Sequence, residues 1–181
     1  MISTHYTPPF NLPMISLTIK DAKLIALDWH HDKTARLFVK LNQQAIFIRP
    51  EELSPDGLTW DDGRNNNQAI AIKVMSQLDE YFIGKRREFD IPLDLSYGTP
   101  FQQMVWHGLL DITYGHTISY AKLAKNIGKP NAFRACANAN GKNPISIIVP
   151  CHRVIASSGG LGGYTGGTHI KTILLDLESQ S

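Results

Sequence analysis

The chain of 181 residues contains only two cysteines, Cys136 and Cys151. This scarcity excludes a framework of several disulfides and a zinc site built from four cysteines. A free reactive thiol survives best in a reducing compartment, so we expect a cytoplasmic protein. The N-terminus lacks the basic start and apolar core of a signal peptide, and no run of about 18 apolar residues occurs, so we expect no membrane span.

Acidic residues are missing from most of the C-terminal half. Between Asp111 and Asp176 the chain carries seven lysines and arginines and no aspartate or glutamate, although its net charge is only +2. A surface with this bias attracts polyanions such as nucleic acids. On charge alone, an ordinary fluctuation of composition stays open as the alternative.

The first half of the sequence predicts a small α/β domain. Apolar and β-branched segments separated by polar turns predict strands at 15–19, 24–29, 35–41 and 45–48. Residues 50–67 are a predicted loop. Helical spacing of apolar residues predicts a helix from about Gln68 that ends near Gly84, and alternation predicts a last strand around 89–93.

One cluster in this half, His30-His31-Asp32, suggests a metal site. Neighbouring side chains on a strand point to opposite faces of the sheet. We therefore favour a turn at a strand end and predict no metal site.

Residues 94–98 are the predicted linker, which divides the chain into domains at 1–93 and 94–181. Thr99, Pro100 and Gln102 then predict the start of a helix, with an N-cap, a proline in the first turn and a capping box. We expect Tyr114-Gly115 to end this helix.

A pair of short helices follows. Ser119 is suited to cap a helix through Ile127, and Gly128-Lys129-Pro130 to break it. Asn131 would cap a second helix that ends at Gly141. The two short helices and the turn between them match a helix-turn-helix. The second helix is rich in alanine with Arg134 as its one long cation, so it suits close approach to a DNA groove without sequence readout. A packed alanine helix with a solvated arginine is the alternative.

The candidate catalytic motif is Pro150-Cys151-His152-Arg153-Val154, which follows an apolar, strand-like run over 145–149. The thiolate is the nucleophilic form of cysteine, and a histidine beside it can take its proton through a water. A helix from about His169 to Glu178 offers Asp176 or Glu178 to orient that imidazole. The glycine-rich segment 159–167 has the backbone freedom to fold closely over a small substrate. A Cys-His pair without chemistry is the alternative for the dipeptide alone.

These motifs, in this order, resemble the O6-alkylguanine-DNA alkyltransferases, also called methylated-DNA–protein-cysteine methyltransferases. The resemblance runs without gaps from about Thr99 to Glu178. It is carried by 114–120 (YGHTISY), 123–124 (LA), 131–134 (NAFR), 143–145 (NPI), 150–155 (PCHRVI), 162–164 (GGY) and 166–167 (GG). It implies an N-terminal α/β domain with a small antiparallel sheet and a helix, ribonuclease-H-like, and a mainly α C-terminal domain with a winged-helix-like helix-turn-helix.

The resemblance also implies roles for individual residues. Cys151 would attack the alkyl carbon on guanine O6 and keep it as a thioether, while His152 takes the thiol proton through a water and Glu178 orients the imidazole. The remaining roles are a brace for the thiol turn (Asn143), a donor towards the purine (Tyr120), an intercalating cation (Arg134), further DNA contacts (Ala135, Lys142), pocket walls (Val154, Tyr164, Thr165) and electrostatic assistance beside the pocket (Lys171).

The implied function is DNA repair by a single, irreversible alkyl transfer after base flipping, on O6-alkylguanine and O4-alkylthymine. The expected partner is double-stranded DNA containing alkylated guanine, with no membrane, no cofactor, no metal and a monomeric protein. Two other classes stay open: a lesion-binding module without transfer, which the presence of Cys151 disfavours, and a Cys-His-Glu hydrolase, which would turn over repeatedly.

Overall fold

The computed structural model describes residues 1–29, 32–53 and 64–180. The chain divides into two compact units, Met1–Asp94 and Leu95–Ser181. Each unit has its own buried apolar side chains.

The N-terminal unit is built on a four-stranded sheet. Its strands are β1 (Ile2–Tyr6), β2 (Ile15–Lys20), β3 (Lys23–Asp28) and β4 (Ile46–Phe47). The order is β3-β2-β1-β4, antiparallel except for the parallel pairing of β4 with β1. The sequence predicts β2, β3 and β4 to within about two residues and assigns no element to β1.

Two helices accompany this sheet, α1 (Asp32–Leu41) and α2 (Arg64–Phe82). The helix predicted from about Gln68 corresponds to α2 and starts four residues too late. Its predicted end near Gly84 is close to the observed end at Phe82. Helix α2 packs on β1, β2 and β3. Its contact face shows the three-to-four spacing of an amphipathic helix, because the fully buried positions are Ala71, Val74, Leu78 and Tyr81.

Two predicted strands of this unit are wrong. Residues 35–41 lie in α1 and are helical. The segment 89–93 forms only a single bridge, between Leu93 and Leu24. Within the predicted loop, Pro50–Glu52 forms a short 3-10 turn and Arg64 to Asn67 belong to α2. The loop's central part, 54–63, and the predicted turn at His30-His31 lie outside the described residues.

The C-terminal unit is mainly helical. Its elements are α3 (Pro100–Leu110), β5 (Ile118–Ser119), α4 (Tyr120–Asn126), α5 (Phe133–Gly141), β6 (Val154–Ile155) and α6 (Thr168–Ser179). At the start of α3, the backbone N–H of Gln102 donates to Thr99 Oγ1 at 3.3 Å. The backbone N–H of Thr99 donates to Gln102 Oε1 at 2.8 Å. This is the predicted capping box, although α3 ends at Leu110, before Tyr114-Gly115.

The helix pair is α4 and α5. Ser119 caps α4, since its Oγ accepts from the Lys122 N–H at 3.1 Å. Gly128 has a φ of 72°, in the left-handed region that favours glycine, and so ends α4 as predicted. The predicted cap of α5 is wrong: Ala132, not Asn131, is the N-cap, and no side chain caps this helix.

A short parallel pair joins β5 to β6. Helix α3 is tied to α5 because the Trp106 indole N–H donates to the Ala139 carbonyl at 2.9 Å. Among the described residues, no helix is both long and apolar enough to cross a membrane.

Candidate active site

A buried turn carries the candidate nucleophile. The prediction of a strand-like run over 145–149 is wrong: Ile145 makes an isolated bridge, and the following residues form a turn. Ile147 has a φ of 67°, which a β-branched residue rarely adopts. Such a conformation costs about 1–3 kcal/mol and persists only where its surroundings hold it.

Asn143 supplies that hold. Its side chain is fully buried, and its Nδ2 donates to the carbonyls of Ile145 and Val149 at 3.1 and 2.8 Å. Its Oδ1 accepts from the Ile145 N–H at 3.0 Å. One amide therefore links both ends of the turn that precedes Pro150.

Cys151 begins a 3-10 turn, Cys151–Arg153, directly after Pro150. The residue is only 2% exposed, yet it lines a cavity of about 400 Å³. The other walls come from α4, α5 and the glycine-rich loop: Tyr120, Ala137, Asn138, Asn140, Gly141, Gly163, Tyr164 and Thr165. The cavity thus connects the thiol residue with the alanine-rich helix.

His152, the residue after Cys151, meets Glu178 of α6 in the protein interior. His152 Nε2 lies 2.8 Å from Glu178 Oε1, and both side chains are almost fully buried. Of the two carboxylates that the sequence offers, Glu178 is the one in contact with the imidazole, whereas Asp176 is exposed.

Arg153 is a residue of this cluster to which the sequence analysis assigned no role. Its Nε and Nη2 donate to the two oxygens of Glu178 at 2.8 and 3.0 Å, and its Nη1 donates to the Ile112 carbonyl at 2.6 Å. The Gly115 N–H adds a further bond to Glu178 Oε2 at 3.2 Å. A buried arginine in a sequence motif is a signal of such a carboxylate partner, because isolated charges are costly to bury.

These contacts set the protonation states. Burial alone would raise the pKa of Glu178, but hydrogen bonds with His152 and Arg153, the charge of Arg153 and, when the imidazole is protonated, the charge of His152 outweigh burial and lower the pKa to about 2. Burial lowers the pKa of His152, with Arg153 and Lys171 acting in the same direction and Glu178 opposing.

The imidazole is therefore neutral near pH 7, with its Nε2–H donating to Glu178. His152 Nδ1 is buried and has no hydrogen-bond partner among the described residues. A neutral imidazole with one nitrogen bound to a carboxylate has the other nitrogen available to accept a proton.

Tyr120 stands at the start of α4 and lines the cavity. Burial raises the pKa of its phenol, and a negative charge on Cys151, once that thiol is ionised, raises it further, while a bond from Asn140 opposes. The phenol therefore keeps its proton near neutral pH and is a hydrogen-bond donor. Asn140 also donates to the Cys151 carbonyl at 3.4 Å.

Two predicted pocket residues, Val154 and Lys171, are absent from the cavity wall. Both are fully buried, and Lys171 Nζ donates to the Val154 carbonyl at 2.6 Å and to the Leu161 carbonyl. Burial lowers the pKa of Lys171, and the Cys151 thiolate opposes that change. The ammonium thus ties the strand after the 3-10 turn to the glycine-rich loop.

The other predicted pocket residues, Tyr164 and Thr165, do line the cavity. Thr165 Oγ1 donates to the Gly141 carbonyl at 2.9 Å, which joins the loop to the end of α5. The predicted DNA contacts Arg134, Ala135 and Lys142 are all exposed, at the start and end of that helix.

Comparison with known proteins identifies the family. The family model described as 6-O-methylguanine DNA methyltransferase, DNA binding domain, matches residues 100–180. A second model, the ribonuclease-like domain of 6-O-methylguanine DNA methyltransferase, matches residues 14–95.

Individual relatives agree. The chain is 57% identical over 112 residues to a methylated-DNA–protein-cysteine methyltransferase of Mycobacterium leprae, a stretch covering 62% of this chain and 67% of the relative. With the protein of the same name from Mycobacterium bovis the identity is 58%, over 58% of this chain and 63% of the relative. With that from Methanosarcina mazei it is 43%, over 75% and 83%.

Solved structures extend the likeness to the whole chain. A Mycobacterium tuberculosis OGT in complex with DNA is 37% identical, with a TM-score of 0.76, and the match covers 99% of this chain and 94% of that one. The Pyrococcus kodakaraensis O6-methylguanine-DNA methyltransferase, 20% identical with a TM-score of 0.58, shares the fold. The predicted fold class is confirmed, and the chain belongs to the 6-O-methylguanine DNA methyltransferase family.

Proposed function

We propose that this protein repairs DNA by moving the alkyl group from O6 of guanine onto its own Cys151. The observation that carries the proposal is that Cys151 lines a cavity shared with α5, while the next residue, His152, forms a buried pair with Glu178. The solved DNA complex of a relative with the same fold supports DNA as the partner, which we propose to be double-stranded.

The proposed reaction is a displacement at the alkyl carbon. The Cys151 proton passes through a water to His152 Nδ1, and the sulfur attacks the carbon as the bond from carbon to O6 breaks. The guanine that leaves takes a proton at the ring from Tyr120, and the proton held by His152 returns to the phenol through solvent. A thioether is a poor leaving group, so the cysteine is not regenerated and each molecule acts once.

The lesion must leave the base stack to reach this thiol. Unstacking costs a few kcal/mol, which a side chain inserted into the duplex and phosphate contacts offset. Arg134 is the proposed inserted side chain, because it is an exposed long cation on the helix that forms the cavity wall. Ala135 and Lys142 are the proposed flanking contacts.

Mass spectrometry tests the proposal. After the protein is mixed with duplex DNA containing O6-methylguanine, we expect one methyl group on the peptide that contains Cys151. The Cys151→Ala variant should gain none, and Cys136→Ala, which changes the other buried cysteine, should still gain one. Methyl on Cys136, or unmodified Cys151 beside unrepaired DNA, would contradict the proposal.

A Cys-His-Glu hydrolase is the remaining enzymatic alternative, and repeated turnover on an ester or amide would identify it. Action on O4-alkylthymine, a monomeric state and a cytoplasmic location stay predictions. Activity on the thymine adduct is tested with the same assay and a duplex carrying that lesion.

A further inference from the structure

Helix α5 has two faces with different surroundings. Cys136, Ala139 and Asn140, spaced three and four residues apart, are buried. Ala137, Asn138 and Gly141 contribute to the cavity wall. The cavity therefore occupies the C-terminal part of one side of the helix.

The N-terminal part of that side carries an exposed aromatic residue. Phe133 and Arg134 precede Ala137 and Asn138 by four residues each, so they lie one turn, about 6 Å, along the same side. The Phe133 side chain is 45% exposed. The Arg134 guanidinium lies over its ring, 5.6 Å from the centroid.

We propose that Phe133 is a second wedge into the duplex beside Arg134, an inference that rests on the proposed function. The ring would press against the base pair next to the extruded nucleotide from the minor groove, as apolar wedges do in other DNA-bending proteins. Before DNA binds, the ring–guanidinium contact holds Arg134 in place over the helix. The basic stretch between Asp111 and Asp176, with no acidic residue, favours nucleic acid as the occupant of this surface.

Single-turnover repair separates this role from a structural one. We expect Phe133→Ala to slow methyl transfer from duplex DNA about fivefold or more, the scale of one lost aromatic stack. Reaction with free O6-methylguanine, which needs no extrusion, should keep the wild-type rate. Phe133→Tyr should restore duplex repair, and Phe47→Ala, which removes a similarly exposed phenylalanine (49%) from the N-terminal unit, should have no effect.

Two further readouts define the wedge. Phe133 carries no charge, so Phe133→Ala should leave the salt dependence of duplex binding unchanged, whereas Lys142→Ala, at a proposed flanking contact, should reduce the magnitude of its slope by about one. A 2-aminopurine placed next to the lesion should show a smaller fluorescence increase with Phe133→Ala than with the wild type, because this base is less unstacked from its neighbour.

Two results would overturn the wedge. Wild-type rates for Phe133→Ala on duplex would remove it, and equal losses on duplex and free base would make Phe133 structural. If duplex repair is unchanged, a loss of self-association would assign the ring to contact with a second copy. Methyl transfer to Cys151 by the wild type in the same experiment shows that the proposed function stands when the wedge alone fails.

Discussion

At the scale of single residues, the site depends on how one carboxylate is shared. Glu178 accepts from His152 and, at both oxygens, from Arg153. The arginine balances the negative charge, so the carboxylate can stay ionised inside the protein without requiring a protonated histidine. His152 is left neutral, which is the form that can accept the thiol proton.

This sharing predicts an acid-labile fold. The pKa of Glu178 falls from its ordinary 4.5 to about 2 on folding, so its contribution to stability is complete above about pH 5 and is lost as the pH falls through about 2. We expect Glu178→Gln to lower the free energy of unfolding at pH 7 by about 3 kcal/mol, because Arg153 loses a buried partner. The variant should also show a weaker decline of stability between pH 5 and pH 2.

Urea unfolding at a series of pH values measures both effects. Asp176→Asn is the matched control, because Asp176 lies two residues away on the same helix and is exposed. Parallel pH profiles for Glu178→Gln and the wild type would contradict the lowered pKa.

The sequence predicts some residues of this site and misses others, depending on where in the chain their partners lie. Asn143 and Glu178 were selected by resemblance, and both make buried bonds beside the thiol turn. The motif predicts no role for Arg153, because nothing in the local sequence shows that a residue 25 positions later supplies its carboxylate. The Asn131 cap failed because Ala132 follows it as the N-cap, so sequence preference alone misplaced the helix start.

At the scale of helices and strands, Gly108 determines how closely α3 approaches the end of α4. A Cβ at this position would lie 2.6 Å from Cγ2 of Ile127, the residue at the C-cap position of α4. The methyl group of a β-branched side chain has little freedom to move away. The close approach of the two helices therefore requires glycine.

We predict that Gly108→Ala destabilises the protein by about 1–3 kcal/mol through overpacking, even though alanine favours an isolated helix. Adding Ile127→Ala should remove the clash. The double variant should therefore lose less free energy of unfolding than the sum of the two single losses. Gly141→Ala, where nothing lies within 4 Å, is the control and should be neutral or slightly stabilising. Additive losses in thermal unfolding would contradict the packing account.

The errors in secondary structure at 35–41 and 145–149 have different causes. Residues 35–41 combine alanine, leucine, phenylalanine and valine over a short stretch, where helical and strand periodicities cannot be separated. Four of the five residues in the run 145–149 are apolar, Ser146 being the exception, because the segment is buried in a turn and not because it is paired in a sheet. Helices with caps, such as α3 and α4, were predicted because capping is a local interaction.

At the scale of the whole molecule, charge is distributed unevenly along the chain. All seven lysines and arginines of the second half lie in the interval without acids, between Asp111 and Asp176. Arg153 and Lys171 are buried in the site, which leaves five for the surface. The two family models match residues 14–95 and 100–180 separately.

We therefore predict that duplex binding weakens steeply as salt rises, with a slope of about −0.9 per phosphate contact on logarithmic axes. Lys142→Ala should reduce the magnitude of that slope by about one, because Lys142 is exposed at the end of α5. Lys85→Ala, an exposed lysine of the N-terminal unit, should leave the slope unchanged. Fluorescence anisotropy over a range of salt measures it, and an affinity that does not respond to salt would exclude the basic surface as the binding site.

The central claim is that Cys151 accepts the alkyl group permanently, and titration tests it most directly. Duplex DNA carrying O6-methylguanine is supplied in excess, and the repaired DNA is counted against active protein over an extended incubation. We predict a plateau at one repaired lesion per protein molecule, with no further repair as time passes. Continued repair beyond one equivalent would contradict permanent transfer and would favour an enzyme that turns over.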